Sequence, residues 1–326
     1  SDIGAVLACL EPLDIDALGI NCSTGPAEMV QTLDFLSKNS RFIISCLPNA
    51  GMPREENGKA VYRVEPSDFA TIFAPLVKKY QIRIAGGCCG TTPGHIQALI
   101  SALDGHSPQQ QAAKPIRTHI LSSQFQAFNV DQMERPVLIG ERLNAQGSKK
   151  TRELLCEENW SALQEIAQAQ LEKQASLLDI CTANNIVGHE AELMETLIRR
   201  MSANIPAILV PDTTEEAIIR NVLRYIPGRA MINSINLEKG EEKATRILLD
   251  AKSSGAMVIA LTIDENGMAR TVEKKIEIAV RIIQLAQKCG FPPENLIFDL
   301  LVFTLATGEE EYRNAAMDTI EAIKEL

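Results

Sequence analysis

The stretch "IRIAGGCCGTTPGHIQALISAL" (residues 82–103) decides the fold. A short apolar run gives way to two glycines, the adjacent thiols Cys88 and Cys89, and a third glycine; Pro93 then opens an amphipathic run. Strand, chemistry-bearing turn and helix with proline in its first turn make one βα unit. The same pattern recurs upstream. "ALGINCS" (17–23) reads as a buried strand followed by the helix "PAEMVQTLDFLSKN" (26–39), and "RFIISCLPNAG" (41–51) as a strand and loop followed by a helix around "PSDFATIFAPLVKKY" (66–80). Successive βα units imply parallel strands joined by right-handed crossovers.

Downstream the texture changes. Residues 105–136 are rich in Gln, Ser, Ala and Pro with little apolar periodicity, which predicts a linker. A second βα series then starts, with strands predicted at 137–144, 176–182, 206–212, 229–236, 256–263 and 296–303, helices in the intervals and a closing helix over 310–326. The expected domains are therefore 1–104 and 137–326. Neither number of units closes an eight-stranded barrel. The glycine-rich dinucleotide fingerprint of a doubly wound sheet follows the first strand of neither half. The expectation is an α/β chain of two (β/α)8-type barrels, both incomplete, truncated at the two ends of the chain and joined by a linker.

Composition narrows the chemistry. The chain has 326 residues, 45% of them hydrophobic and 23% charged, and its 32 Lys and Arg against 42 Asp and Glu leave a net charge of −10. That balance disfavours nucleic acid and polyphosphate partners and suits a small polar substrate. No uninterrupted apolar stretch reaches the roughly 18 residues of a membrane span, and "SDIGAVLACLEP" lacks a basic signal-peptide start. A cytoplasmic protein with no membrane partner is expected. In a reducing compartment eight cysteines are poor candidates for a disulfide framework, so clustered ones are weighed as metal ligands or nucleophiles.

Cys22 follows the first strand, and Cys88 and Cys89 follow the third, where a parallel barrel carries its functional groups. Gly86, Gly87 and Gly90 would let the backbone turn until adjacent side chains converge. Three thiolates can then face one zinc ion and leave its fourth position open, the pattern of catalytic zinc. The competing reading is a set of buried space-filling cysteines, and it is preferred for Cys9, Cys46, Cys156 and Cys289.

"GINCSTGPAEM", "PNAGMP" and "GGCCGTTPGHI", in this order and spacing, resemble the homocysteine-binding domain of the cobalamin-dependent methionine synthase family. The resemblance implies that zinc on Cys22, Cys88 and Cys89 binds homocysteine through sulfur, and that its thiolate accepts a methyl group. Asn49 is placed to meet the metal or the amino acid. Thr91 and Thr92, with their backbone N–H groups, are expected to hold the homocysteine carboxylate at the helix start.

In the second segment "PVLIGERLNAQGSKK" (136–150) sets Glu141, Arg142 and Asn144 at a strand end, and later strand ends carry Asp179, Asn184, Asp212, Asn233 and Asp299. Polar residues emerging in succession from apolar strands suggest a ligand rim, although Asp212 before "TTEEA" could equally cap a helix. These motifs resemble the pterin-binding domain of the same family, a fold shared with corrinoid protein methyltransferases and dihydropteroate synthase. By that resemblance Asp212, Asn233 and Asp299 bind the pterin of methyltetrahydrofolate, with Asn144 and Asp179 on the same rim. A carboxylate can accept from a ring N–H and an exocyclic amino group together. Leu300 stands where the family has proline after the aspartate. Cys181, read as a space-filler, stands where it has asparagine.

The implied activity is that of a 5-methyltetrahydrofolate–homocysteine methyltransferase: methyl transfer by way of cobalamin, forming methionine and tetrahydrofolate. No "DxHxxG" corrinoid motif is present, so cobalamin is assigned to a module outside this chain, and the fragment alone is expected to be inactive. Two alternatives stay open, a folate- or corrinoid-dependent methyltransferase with a degenerate thiol domain and a non-catalytic ligand-binding module.

Overall fold

The computed structural model describes residues 2–108, 117–183, 188–302 and 314–326. Asn184, the end of the strand predicted to reach 303 and the start of the helix predicted from 310 lie outside the described residues. By internal packing the chain divides into Asp14–Ile116 and a second unit that combines Ser1–Leu13 with Arg117–Leu326. Helix α1 (Ile3–Leu10), whose first turn is capped by the Asp2 carboxylate accepting from the Gly4 N–H at 3.0 Å, therefore belongs with the second unit.

Asp14–Ile116 is built from β1 (Ala17–Asn21), α2 (Val30–Asn39), β2 (Ile43–Leu47), the hairpin β3 (Arg54–Glu56) and β4 (Lys59–Val61), α3 (Pro66–Lys79), β5 (Ile84–Ala85) and α4 (Pro93–Ala102). The parallel sheet runs β1-β2-β5. Helix α3 forms because Phe69, Phe73 and Val77 recur at the helical period and are all buried, with Pro66 in its first turn and Lys78 and Lys79 in its last. Strand β5 is only two residues long, because the glycine-rich residues that follow the apolar run leave the ladder to form a turn. Residues 26–29 are likewise turn, so the helix predicted from Pro26 starts at Val30.

In the second unit the hairpin β6 (Ile120–Ser122) and β7 (Ala127–Asn129) precedes a 3-10 turn at Val130–Gln132. Then come β8 (Ile139–Asn144), α5 (Lys149–Cys156), α6 (Trp160–Leu171), β9 (Leu177–Cys181), α7 (Glu190–Asn204), β10 (Ile208–Pro211), α8 (Glu216–Leu223), β11 (Met231–Ile235) and α9 (Glu241–Ser254). The series ends with β12 (Met257–Leu261), a small hairpin of β13 (Ile263–Asp264) and β14 (Gly267–Met268), α10 (Val272–Lys288), β15 (Leu296–Asp299) and α11 (Ala315–Glu325). Two parallel arcs, β8-β9-β10 and β11-β12-β15, meet through a parallel bridge between Asp212 and Asn233. The fold is mixed α/β with the strand and helix alternation of a barrel, and its sheets are open rather than closed.

Strand alternation sorts this unit's core into two faces. Leu178, Ile180, Leu209, Ile232, Val258 and Ala260 pack beneath the helices, whereas Leu177, Ile208, Val210, Met231, Met257 and Ile259 form a separate inner cluster with Leu121 of β6. Residues 117–136, predicted as part of the linker, thus include a hairpin whose Ile120, Leu121 and Ser122 are all buried. Three-residue strands are too short for period-two patterning to show in sequence. Among the described residues no helix is long and apolar enough to cross a membrane.

Candidate functional site

Three loops of Asp14–Ile116 converge at the carboxyl ends of β1, β2 and β5, and backbone hydrogen bonds lock them together. The Cys22 N–H donates to the Leu47 carbonyl at 3.0 Å, Asn49 N–H to Thr24 at 2.9 Å, Cys88 N–H to Pro48 at 2.8 Å and Ala50 N–H to Cys89 at 2.9 Å. Asn49, 2% exposed, adds a side-chain tie: its Oδ1 accepts from the Cys89 N–H at 3.1 Å. Cys22 and Ser23 both adopt φ of 63°, a left-handed conformation that costs an L residue about 1–2 kcal/mol. The inter-loop hydrogen bonds offset this strain, which turns the Cys22 side chain toward the third loop.

The result is a cluster of sulfurs. Cys22 Sγ lies 3.6 Å from Cys89 Sγ, Cys88 Sγ lies 3.9 Å from Cys89 Sγ, and all three fall within 4.8 Å of one another. Two sulfurs at ~2.3 Å from one tetrahedral zinc stand roughly 3.8 Å apart, so both spacing and donor softness fit zinc. Among the described residues this is the one such grouping of His, Cys, Asp and Glu. The Cys22 thiol is pulled below its ordinary pKa, first by the Ser23 backbone N–H and then by the Cys89 and Cys88 thiols. Cys89 is pushed the other way, chiefly by Cys22 and then by Cys88. Of these two thiols, Cys22 is therefore the more readily ionised.

Of the three glycines expected to shape this turn, only Gly90 has positive φ, at 77°, and a Cβ there would meet the Tyr62 side chain at 2.3 Å. Gly87 is required for a different reason: a Cβ would lie 2.5 Å from Thr91 Oγ1. Tyr62, which sequence reasoning missed, packs on Gly90, and its hydroxyl interacts with the Cys89 thiol, raising the pKa of the phenol and opposing the rise at the thiol. No spacing in the sequence points to it, because it follows a short hairpin rather than a sheet strand.

Thr91 and Thr92 have local partners. Thr91 Oγ1 and N–H donate to the Cys88 carbonyl at 2.6 and 3.1 Å. The Thr92 N–H donates to His95 Nδ1 at 3.1 Å, and Thr92 Oγ1 is 2.9 Å from the same nitrogen. His95 Nε2 faces the Val64 carbonyl at 2.8 Å, so Nε2 carries the proton and Nδ1 accepts. These bonds form the capping box of α4.

The second constellation lies in the other unit. Asn144, Asp179, Asp212, Asn233 and Asp299 all fall in, or one residue beyond, parallel strands, and Asp179, Asp212, Asn233 and Asp299 share the alternation of the inner apolar cluster. Four of the five are joined. Asn144 Nδ2 donates to Asp179 Oδ2 at 3.0 Å and to Asp212 Oδ2 at 2.9 Å, and Asn233 Nδ2 donates to Asp179 Oδ1 at 3.1 Å. Asp179 is 2% exposed and both its oxygens are engaged. Burial is the main cause that raises its pKa. Asp212 is pushed up to about 6, first by burial and then by the charge of Asp179. Asp299 stands apart from this network: it is exposed, and its Oδ1 accepts from the Leu301 N–H at 2.8 Å.

The remaining cysteines differ among themselves. Cys46 and Cys181 are buried, and burial lifts both thiols to about 12, which leaves them un-ionised and poor nucleophiles. Cys156, expected to be buried, is exposed, because α5 turns Thr151 and Leu155 to the core and the next residue outward.

Residues 1–103 match the protein family described as homocysteine S-methyltransferase, and residues 140–326 match the one described as pterin binding enzyme. A methionine synthase of Mycobacterium leprae (strain TN) is 38% identical over 335 residues, covering 100% of this chain and 28% of that protein. A methionine synthase of Mycobacterium tuberculosis (strain ATCC 25618 / H37Rv) is 38% identical over 332 residues, covering 100% of this chain and 27% of that protein. The chain thus spans little more than a quarter of the length of these curated relatives. Among solved structures, a Yersinia pestis DHPS with a pterine-sulfa conjugate aligns with a TM-score of 0.44 and 19% identity, over 60% of this chain and 70% of that one. A 7,8-dihydropteroate synthase from Vibrio fischeri ES114 aligns with a TM-score of 0.45 and 17% identity, over 60% and 72% of the two chains.

Proposed function

Because the chain belongs to the pterin binding enzyme family over residues 140–326 and carries a three-thiol cluster within its homocysteine S-methyltransferase segment, we propose that it supplies two half-sites for methyl transfer from 5-methyltetrahydrofolate to homocysteine. Cobalamin is the methyl carrier in this reading and is held by a module outside the chain. The observation that carries it is the convergence of Cys22, Cys88 and Cys89 within 4.8 Å. Held by these sulfurs, a zinc ion would supply the Lewis acidity that keeps a homocysteine thiol ionised near neutral pH.

The chain's own residues prepare that site. Asn49 fixes the backbone at Cys89, Tyr62 sets its hydroxyl against the Cys89 thiol, and Thr91 and Thr92 brace the turn. With their donors engaged in this way, the threonines act on homocysteine through the turn rather than by gripping its carboxylate. The eight free cysteines suit work in the cytoplasm, where thiols stay reduced.

In the other unit, Asp212 accepts hydrogen bonds from the pterin ring when ionised, and Asp299 provides the second carboxylate. Asp179 orients both amides: because a carboxylate takes the Asn233 Nδ2, Asn233 offers its Oδ1 as an acceptor to the ligand. Asn144 ties Asp179 to Asp212 and keeps the rim in register.

The test is calorimetric titration of the zinc-loaded protein with homocysteine in buffers of different ionisation enthalpy. About one proton should be released near pH 7–8 as the thiol becomes a bound thiolate, and Cys89→Ala should abolish the effect. A binding heat that is the same in every buffer would show that sulfur is not ionised on binding and would refute the reading.

A further inference from the structure

We propose that Lys275 is a positioning residue for Asp299, clamping the main chain just after β15 so that the carboxylate is held ready for the pterin. The proposal rests on the reading of Asp299 as a pterin contact. Lys275 is 1% exposed and lies in the first turn of α10. A cation there sits at the positive end of the helix dipole and away from water, two unfavourable settings that call for compensation. The compensation comes from main-chain carbonyls. Nζ donates to the Leu300 carbonyl and, at 2.9 Å, to the Leu301 carbonyl.

Those carbonyls belong to the turn that aims Asp299. The Leu301 N–H donates to Asp299 Oδ1 at 2.8 Å, which fixes one carboxylate oxygen and leaves Oδ2 for a ligand. Leu301 has φ of 57°, a left-handed conformation that a leucine keeps only when its neighbours hold it. Lys275 holds its carbonyl, and the Thr319 hydroxyl on α11, shared with the Ala315 carbonyl, lies 2.9 Å from the same oxygen. Burial lowers the Lys275 pKa while Asp318 and Asp299 raise it, so Asp299 is among the anions that keep the ammonium charged. One lysine thus fixes the turn geometrically and sets a cation within electrostatic reach of the carboxylate.

Two lysines stand side by side here, and only one has this role. Lys274 pairs with Asp264 at 2.8 Å and is 32% exposed, the ordinary setting of a helix lysine. Lys275 faces inward to the loop.

The experiment is a double-mutant cycle on the full chain, read as the dissociation constant for 5-methyltetrahydrofolate, with circular dichroism confirming the fold. Asp299→Asn should weaken binding about tenfold or more, and Lys275→Met, which keeps the apolar stem, about five- to tenfold. In the Asp299→Asn background Lys275→Met should add less than about twofold, because its effect passes through the carboxylate. Additive losses, or no loss with Lys275→Met, would overturn the clamp. If Lys275→Met does not fold, Thr319→Val decides by the same cycle: a loss of about twofold that vanishes in the Asp299→Asn background supports the clamp, and an unchanged affinity removes it. Asp299→Asn without any effect would instead refute the pterin role of Asp299, a result distinct from failure of the clamp.

Discussion

At the thiol site the reactive side chains sit on loop residues, and two consecutive positions, Cys22 and Ser23, accept left-handed backbone so that sulfurs from separate loops can meet. At the carboxylate and amide rim, side chains in or just past parallel strands are brought together by register, and Asp179 joins two asparagines without any unusual φ. The first arrangement suits a metal, which can hold strained loops by its own bonds. The second suits an extended planar ligand, which needs donors and acceptors spaced along an edge. The contrast also predicts where each site fails: the thiol site through loss of any one ligand, the rim through loss of the carboxylate that orients its neighbours.

The largest effect expected is on metal content. Purified protein should carry about one zinc per chain, and Cys89→Ala should reduce this nearly to none, because two thiolates with no third protein ligand bind zinc far more weakly. Cys46→Ala should leave zinc unchanged, since Cys46 is buried in the core and its sulfur contacts Met29. Equal loss in both variants would mean that zinc loss reports unfolding rather than ligation.

Next in size is the rim's internal tie. Asp179→Ala removes the acceptor of the Asn233 Nδ2 and one of the two Nδ2 bonds of Asn144, and should cost about 2 kcal/mol of stability. It should also weaken pterin binding about tenfold, since the Asn233 amide is then free to turn while Asn144 keeps its bonds to Asp212 and to the Gln146 and Gly147 N–H groups. Denaturant unfolding and ligand titration measure the two effects separately. Undiminished stability would show that the amides find other partners and that strand register alone holds the rim.

A smaller effect is the pH dependence of the same rim. Asp212 is raised from its ordinary 3.8 to about 6, so pterin affinity should rise about tenfold between pH 5 and pH 7 as the carboxylate forms. Its contribution to stability runs in the opposite direction. The folded chain holds the proton more tightly than the unfolded one, so the group costs stability as pH rises from about 4 through about 6, and that cost disappears below this window. Asp212→Asn should flatten both trends. Affinity that is constant across this range would place the pterin away from Asp212.

How much of this could be read from sequence follows from the same contrast. The grouping of Cys22, Cys88 and Cys89 was legible because adjacent thiols among glycines behind an apolar run, taken together with "GINCSTGP", resemble a family's thiol site. The rim was legible because period-two alternation puts a polar residue at the end of an apolar strand on the face of its apolar neighbours. What escaped was set by tertiary contact. Tyr62 reaches Cys89 only because Gly90 has no side chain, and "TVEKKIEIAV" gives no reason to separate Lys275 from Lys274. The hairpin at 120–129 escaped because its strands are three residues long, and Asp299 turned from the shared network because its carboxylate closes on Leu301.

The smallest effect expected tests whether the thiol site and the helix behind it are separable. Thr92 joins them: it caps α4 through His95, whose ring is buried and bonded to the Val64 carbonyl, while Thr91 beside it braces Cys88. Thr92→Ala removes the hydroxyl from the capping box but leaves the Thr92 N–H bond to His95 Nδ1, so it should cost about 1 kcal/mol of stability. The thiols are held by other ties, from Asn49 and from the backbone bonds among the three loops, and none of these passes through the Thr92 hydroxyl. Zinc content should therefore stay at about one per chain while the melting temperature falls by a few degrees. Zinc loss in step with stability would show that the capping box is part of the metal site, and that strain at Cys22 and Ser23 is held by the whole βα unit rather than by the loops alone.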